Sequence, residues 1–488
     1  MSNIKYDIEY NLSAKHEAFP YQHEAFLAIK DKEYAAIFHE QGLGKTKIAI
    51  DLLLYWLDKR DIDTVLIVTK KTLVNNWCEE FKVHTNITPK TIDNKRGSNY
   101  YVFNSTARVI VTNFETISGE LERMKLFLKT RNVAIIIDES TKIKNPDAKL
   151  TQDFFEIAPL FKIRIIMTGT PVANRPYDIW AQVYFLDQGE SLGDSFECFK
   201  NECDLSNDLE NDAGRRNTFE KSVSAIFDKI KSFSVRETKS SGIISLPNKI
   251  YHDLFIGFEN RQNEMYEEVR SEMRIMLKKG DESILDESTD TIKRLLRLVQ
   301  ITSNPRLLDD SYESPSAKEI LLDKTIAKIM ERGEKVIVWS IFTGNVDQFC
   351  RKYKNLNACK ITGKMSVEER NRSVAAFKKG DAKVLFATPQ SAKEGLTLTV
   401  ANNAIFYDRG FNLDDYLQAQ DRIHRISQQK ECNIYNLMIE ESIDVWIDVL
   451  LKAKQRAAFL AQGDISLAKY KNDADYSFAS IIHEILKA

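Results

Sequence analysis

The stretch FHEQGLGKTKIAI (38–50) sets two glycines, a lysine and a threonine between a short apolar run and a helical pattern. Gly42 and Gly44 let the backbone curl so that successive N–H groups converge on a phosphate, and the new helix adds its positive N-terminal end. Lys45 can then reach the terminal phosphates, and the Thr46 hydroxyl can ligate Mg²⁺. The strict phosphate-loop pattern asks for glycine where this chain has His39. Downstream, IIIDESTK (135–142) runs three isoleucines into two carboxylates. Such a run reads as a strand buried on both faces of a parallel sheet, and its carboxyl end is where open α/β sheets place ligands. A nucleoside triphosphate site needs a carboxylate for the Mg²⁺ shell and a group that orients or deprotonates water. Asp138 and Glu139 supply these. Alone, the pair would read as an ordinary polar loop, and the glycine turn is what gives it chemistry.

Two further stretches extend the set. In MTGTPVANRPYDIWAQVYFLD (167–187), Thr168 and Thr170 leave another buried strand, where hydroxyls could touch the acidic pair. In YLQAQDRIHRISQ (416–428), Gln418, Arg422 and Arg425 fall at i, i+4 and i+7, on one face if the segment is a helix. An exposed salt-bridging face is the common meaning of that spacing. Arginine's fixed fork of donors also suits charge developing on a transferring phosphoryl group. Arginines arriving from a second lobe would make hydrolysis depend on closure.

The elements that must position these residues follow from periodicity. In the first half, strands are expected at 35–38, 64–69, 108–112, 133–138 and 163–168, with helices at 45–58 and 72–84. The second half repeats the pattern at 335–340, 357–362, 383–388, 403–408 and 433–438. Strands alternating with helices mean βαβ units and a mainly parallel sheet. The fold class is therefore α/β, with two lobes: residues 1–245 carrying the glycine turn and DEST, and 246–488 carrying the arginines. Helical insertions are placed at about 190–240 and 255–315, a stretch with few strand signals, and 309–319 reads as a loop.

At 488 residues, two or three domains are expected. Hydrophobic residues at 43% and charged residues at 29% describe a well-packed globular protein. No apolar run approaches a membrane span, and no signal pattern opens the chain. The cysteines at 78, 198, 203, 350, 359 and 432 form no CxxC pair, which fits a reducing cytosol and no structural metal. A net charge of −2 neither advertises nor excludes a nucleic-acid partner, because a local cationic groove suffices.

Taken in order, FPYQHEAF, HEQGLGKTKIAI, VTKKTLVNNWCEEF, VTNFETI, DESTKIKN, MTGTPVANRPYDIW, VIVWSIFTGNVDQF, EGLTLTVANNAIFYD and QAQDRIHRISQ resemble the Swi/Snf-type branch of the superfamily-two helicases, over about residues 17–460. The resemblance implies two RecA-like lobes with ATP and Mg²⁺ between them and a DNA strand tracked across both. It gives Gln22 the adenine, Gly42, Gly44, Lys45 and Thr46 the phosphates, and Asp138 and Glu139 the metal and the water. Thr168 and Thr170 would couple the two activities, and Arg422 and Arg425 would be arginine fingers beside Gln418 and Gly395. DNA contacts would fall on Lys71, Thr72, Asn76, Thr112, Asn113, Ser340, Thr362, Gly363, Thr388 and Ser391, mostly to phosphates and so without sequence readout. Trp77 reads as a core anchor.

Where the family usually has DEAH this chain has DEST, so Thr141 replaces a histidine that links the acidic motif to the threonine motif. Hydrolysis should survive that exchange, with coupling altered. Lys70 stands where a proline is common, a neutral exchange. Residues past 460 are expected to form brace helices. The implied function is a DNA-dependent ATPase motor that moves on duplex DNA, remodelling branched DNA or displacing bound protein in replication, repair or recombination. The resemblance to compact phage or bacterial members implies a monomer in a bacterial or phage-infected cytoplasm. A strand-separating helicase and a nucleotide-gated scaffold are the alternatives, and RNA is compatible with phosphate tracking.

Overall fold

The β-branched runs of the first half become a parallel sheet because their side chains are apolar on both faces and the segments between them form helices that cover those faces. A computed structural model describes residues 11–172, 174–243, 246–277, 289–391 and 396–477. The chain divides into two units, the first comprising Met1–Asp204, Phe219–Ile244 and Ala458–Leu467, the second Leu205–Thr218, Ser245–Ala457 and Ala468–Ala488.

In the first unit the strands are β1 (Tyr34–Ile37), β2 (Thr64–Thr69), β3 (Lys90–Thr91), β4 (Val109–Asn113), β5 (Val133–Asp138), β6 (Ile163–Met167) and β7 (Ser234–Val235). They lie in the order β3-β4-β2-β5-β6-β1-β7, every neighbouring pair parallel. Register aligns Thr69 with Asn113, and Met167 with both Asp138 and Ile37, so the carboxyl ends share one edge. Helices α1 (Pro20–Ile29), α2 (Lys45–Lys59) and α3 (Val74–His84) pack by their apolar sides, with Trp56, Trp77 and Phe81 fully buried.

The segment after β7 runs on beside the glycine turn. Phe38 N donates to Val235 O (2.8 Å) and Glu40 N to Glu237 O (2.9 Å). Arg236 donates from Nη1 to Phe38 O (2.8 Å) and grips Asp464 in a fork, Nε to Oδ1 at 2.7 Å and Nη2 to Oδ2 at 2.5 Å. Residues 458–467 are thus part of the first unit.

The second unit holds β8 (Lys249–Ile256), β9 (Val336–Trp339), β10 (Cys359–Ile361), β11 (Val384–Ala387), β12 (Asn403–Phe406) and β13 (Cys432–Ile439), ordered β10-β11-β9-β12-β13-β8 and again parallel throughout. The expectation of an α/β protein with two parallel sheets is met. The reading of 190–315 as poor in strands is corrected, because β7 and the eight-residue β8 lie there. β8 is an edge strand with Tyr251, Asp253 and Phe255 exposed, so it lacks the continuous apolar run that marks a central strand. Among the described residues no helix is long and apolar enough to cross a membrane.

Candidate active site

The glycine turn joins β1 to α2. Gly42 (φ 88°) and Gly44 (φ 71°) both take the left-handed backbone that glycine adopts without strain. Gly44 is fixed by space as well, since a Cβ there would lie 2.2 Å from Gln22 Nε2. Gln22 is buried and held at both ends, its Oε1 accepting from Phe19 N (3.0 Å) and its Nε2 donating to Leu43 O (3.3 Å). Lys45 Nζ folds onto the turn's own carbonyls, His39 O at 3.0 Å and Glu40 O at 3.4 Å. His39 is buried, and burial together with the Lys45 charge pulls its pKa down to about 4, so the ring adds no charge to the cradle.

β5 delivers Asp138 and Glu139 as expected. Burial and the neighbouring Glu139 push the Asp138 carboxyl up to about 6. Trp77 Nε1 (2.9 Å) and Thr69 Oγ1 (3.2 Å) both donate to Asp138 Oδ2. A buried carboxylate with one oxygen oriented in this way suits a hard divalent cation, so the residues fit Mg²⁺. Glu139 sits at φ 59°, ψ 49°, a left-handed conformation that a non-glycine residue holds only under constraint. Its Oε2 lies 3.4 Å from Lys70 Nζ.

The threonine turn meets the glycine turn directly. Thr168 is buried and its N–H donates to Ile37 O (3.2 Å), while Thr170 N donates to Thr168 Oγ1 (3.2 Å). A Cβ on Gly169 would lie 3.0 Å from Gln41 N and 3.3 Å from Lys45 Nζ, so a side chain there would press the two turns apart by a few tenths of an ångström. Among the described residues no side-chain hydrogen bond joins Thr141 to this turn. Ser140 does instead, through Gln182: Ser140 Oγ donates to Gln182 Oε1 (2.7 Å), and Gln182 Nε2 donates to Pro171 O (2.8 Å).

The expected strand-contact residues of the first unit divide sharply. Lys71, Thr72 and Asn76 are exposed where β2 passes into α3. Thr112 is buried with its hydroxyl on Ile92 O, and Asn113 accepts from Thr116 N as the cap of helix Phe114–Gly119. In the second unit, Ser340, Thr362 and Thr388 each follow the last residue of a strand, and those last residues, Trp339, Ile361 and Ala387, lie in register. Ser391 Oγ is 2.6 Å from Thr388 Oγ1 and donates to Ile361 O, and Gly363 is exposed. Ser340 Oγ donates to the buried Asp408 (2.6 Å).

The arginines do not share a helix face. The helix Leu413–Gln420 ends before them, and the chain tightens into turns. Their own side chains explain the stop: Arg422 Nε donates to Gln418 O (3.2 Å) and Arg425 Nε to Asp421 O (3.1 Å), taking carbonyls that a continuing helix would use. Each also grips the strand of chain opposite, Arg422 Nη1 to Leu396 O (3.2 Å) and Arg425 Nη1 to Thr397 Oγ1 (2.8 Å). Arg422 is buried and Arg425 half-buried, and burial lowers the Arg425 pKa. Gln418 is buried with Nε2 on Asp414 Oδ1 (2.7 Å). Gly395 lies outside the described residues.

Sequence reading passed over Thr69, Ser140 and Gln182, took Lys70 for a neutral exchange and gave Trp77 only bulk. The signal available was adjacency, since Thr69 ends, and Lys70 directly follows, the strand beside the one that carries the acidic pair.

Comparison with known proteins adds the following. The model of the SNF2-related domain matches residues 23–307, and that of the helicase conserved C-terminal domain matches 317–427. The ISWI chromatin-remodeling complex ATPase ISW1 of Saccharomyces cerevisiae is 26% identical over 476 residues, 91% of this chain and 40% of that protein. The human SWI/SNF-related matrix-associated actin-dependent regulator of chromatin subfamily A member 1 is 28% identical over 438 residues, 83% of this chain and 39% of that protein. An uncharacterized ATP-dependent helicase of Mycoplasma pneumoniae is 27% identical, covering 89% of this chain and 42% of that one. The chain thus spans about 40% of the length of these relatives. Among solved structures, the Sulfolobus solfataricus SWI2/SNF2 ATPase core in complex with dsDNA is 22% identical, covering 94% of this chain and 97% of that one, with a TM-score of 0.43.

Proposed function

Because the chain belongs to the SNF2-related domain family, we propose that it is an ATP hydrolase driven by DNA, a motor that moves along the duplex and remodels branched DNA or displaces bound protein. The observation that carries this reading is the meeting of three elements at one sheet edge. Lys45 caps the glycine turn, Gly169 brings the threonine turn against it, and Asp138 and Glu139 leave β5 beside them. In this reading the glycine turn, Lys45 and Thr46 hold the nucleotide, and Asp138 with Thr46 holds Mg²⁺, which would neutralise charge on the phosphates. Glu139 takes a proton from the attacking water, and Arg425, the more exposed of its pair, stabilises the transferring group. Lys71, Thr72 and Asn76 in one unit and the Thr362, Gly363, Thr388 and Ser391 group in the other serve the DNA backbone. The six cysteines form no CxxC pair, which supports a reducing compartment, the bacterial or phage-infected cytoplasm, and we take the working unit to be a monomer.

The test is ATP turnover with single-stranded, duplex and forked DNA, followed by triplex displacement and duplex unwinding. Turnover stimulated by duplex, with triplex displacement and no unwinding, is the expected result. Unwinding would make the protein a strand-separating helicase, and no turnover with any polynucleotide, RNA included, would leave a nucleotide-gated scaffold.

A further inference from the structure

One short segment, Thr69 to Trp77, touches both carboxylates of the acidic turn. Thr69 and Trp77 hold Asp138 through Oδ2, and Lys70, between them, brings its ammonium to 3.4 Å from Glu139 Oε2. Lys70 is the extended residue (φ −65°, ψ 145°) that opens the turn Lys71–Leu73, so its side chain leaves the segment on the side of β5. The next residues, Lys71 and Thr72, and then Asn75 and Asn76, are exposed. The segment therefore presents donors to solvent on one side and restrains the acidic pair on the other.

We propose that Lys70 is a positioning residue that restrains Glu139 until a polyanionic backbone engages the exposed side of the same segment. This rests on the reading of Glu139 as the group that receives water's proton. With the ammonium on Oε2, that oxygen is engaged and the carboxylate is turned toward β2. A nucleic-acid phosphate arriving at Lys71 and Thr72 offers Lys70 a competing anion one residue away, and the ammonium leaves Glu139 for it. Lys70 itself makes and breaks no covalent bond. In the released state water gives its proton to Glu139 as its oxygen bonds to the terminal phosphorus, and the bond to the leaving diphosphate oxygen breaks.

The chemistry of the pair fits an exchangeable contact better than a structural one. Both side chains keep some solvent exposure, 21% for Lys70 and 15% for Glu139, and partly exposed ion pairs of this length hold little stability. The Asp138 contacts, by contrast, are buried and uncharged on the donor side, so the segment stays anchored while Lys70 moves.

The experiment compares ATP turnover of the full chain without DNA and with saturating duplex for wild type, Lys70→Met and Lys70→Arg, with melting temperatures as a folding control. Lys70→Met is expected to raise the DNA-free rate about fivefold, equivalent to about 1 kcal/mol at 1.36 kcal/mol per tenfold. The saturated rate should stay within about twofold, so the stimulation ratio falls about fivefold, and Lys70→Arg should keep the low basal rate. An unchanged stimulation ratio in Lys70→Met would overturn the proposal. So would an equal fall of both rates, which would make Lys70 part of the catalytic apparatus. Lys70→Pro, which suits the observed φ, should behave like Lys70→Met, and a wild-type ratio there would count equally against it. Glu139→Gln run alongside separates the two claims, because wild-type turnover in that variant rejects the base assignment whatever Lys70 does.

Discussion

Ser140 and Gln182 form a buried bridge between the acidic turn and the threonine turn, with Ser140 Oγ 2.7 Å from Gln182 Oε1 and both side chains fully enclosed. Gln182 Nε2 divides its donors between Pro171 O and Asp178 O, so every polar atom of the bridge is used. Gln182→Leu leaves a buried hydroxyl and two carbonyls short of partners and should destabilise the chain by about 1–3 kcal/mol. Ser140→Ala in the same background should recover part of that loss. Both single variants should lower DNA-stimulated kcat with little change in KM for ATP. Wild-type kcat in a folded Gln182→Leu protein would show that the bridge carries stability alone.

Trp77 orients the carboxylate that we assign to the metal. Trp77→Phe keeps an aromatic ring in the core, with a smaller side chain, and deletes the indole N–H on Asp138. Loss of such an outer partner typically weakens metal affinity about 10–100-fold. Titrating Mg²⁺ against turnover should show a requirement about tenfold higher, with near-normal kcat at saturation. An unshifted Mg²⁺ curve would return Trp77 to packing alone.

Asp138 makes a pH prediction whose sign is set by its raised pKa. Its folded value of about 6 stands above the ordinary 3.8, so the neutral form favours folding. That contribution is complete below the ordinary value and is lost as pH rises through about 6. Above pH 6, without nucleotide or metal, Asp138→Asn should therefore be more stable than wild type, by about 1–3 kcal/mol, and the gap should close near pH 4. Denaturant melts at pH 4, 6 and 8 measure it. A constant gap would mean that Asp138 is not the group that titrates.

The assigned roles separate in kinetics. Lys45→Ala and Glu139→Gln should each abolish turnover, with Glu139→Gln still binding ATP in a fluorescent-nucleotide assay. Arg425→Ala should bind ATP nearly as wild type and hydrolyse it about 10²-fold more slowly. An unaltered rate would remove Arg425 from the reaction.

The strands were legible because uninterrupted β-branched runs such as 133–138 allow little else, and β2 and β5 have the bounds read from the residues. The glycine turn and acidic pair were legible because their residue types are tied to their chemistry. β8 was not, since an edge strand needs only one apolar row. The helix at Arg422 and Arg425 was misread because side-chain capping, which periodicity does not record, ended it. Lys70 and Gln182 escaped for a related reason. Their meaning is a contact across 69 residues in one case and 42 in the other, and nothing local to either position announces it.

The fork between Arg236 and Asp464 has a consequence for biosynthesis. A nascent polypeptide displays its nucleotide loop hundreds of residues before the ribosome reaches the aspartate that steadies the arginine on Phe38. Fragments ending near residue 245, the natural place to cut between halves, would emerge with that clasp open. That clasp closes only once segment 458–467 has been made, and a separately supplied piece containing 458–467 should close it in trans.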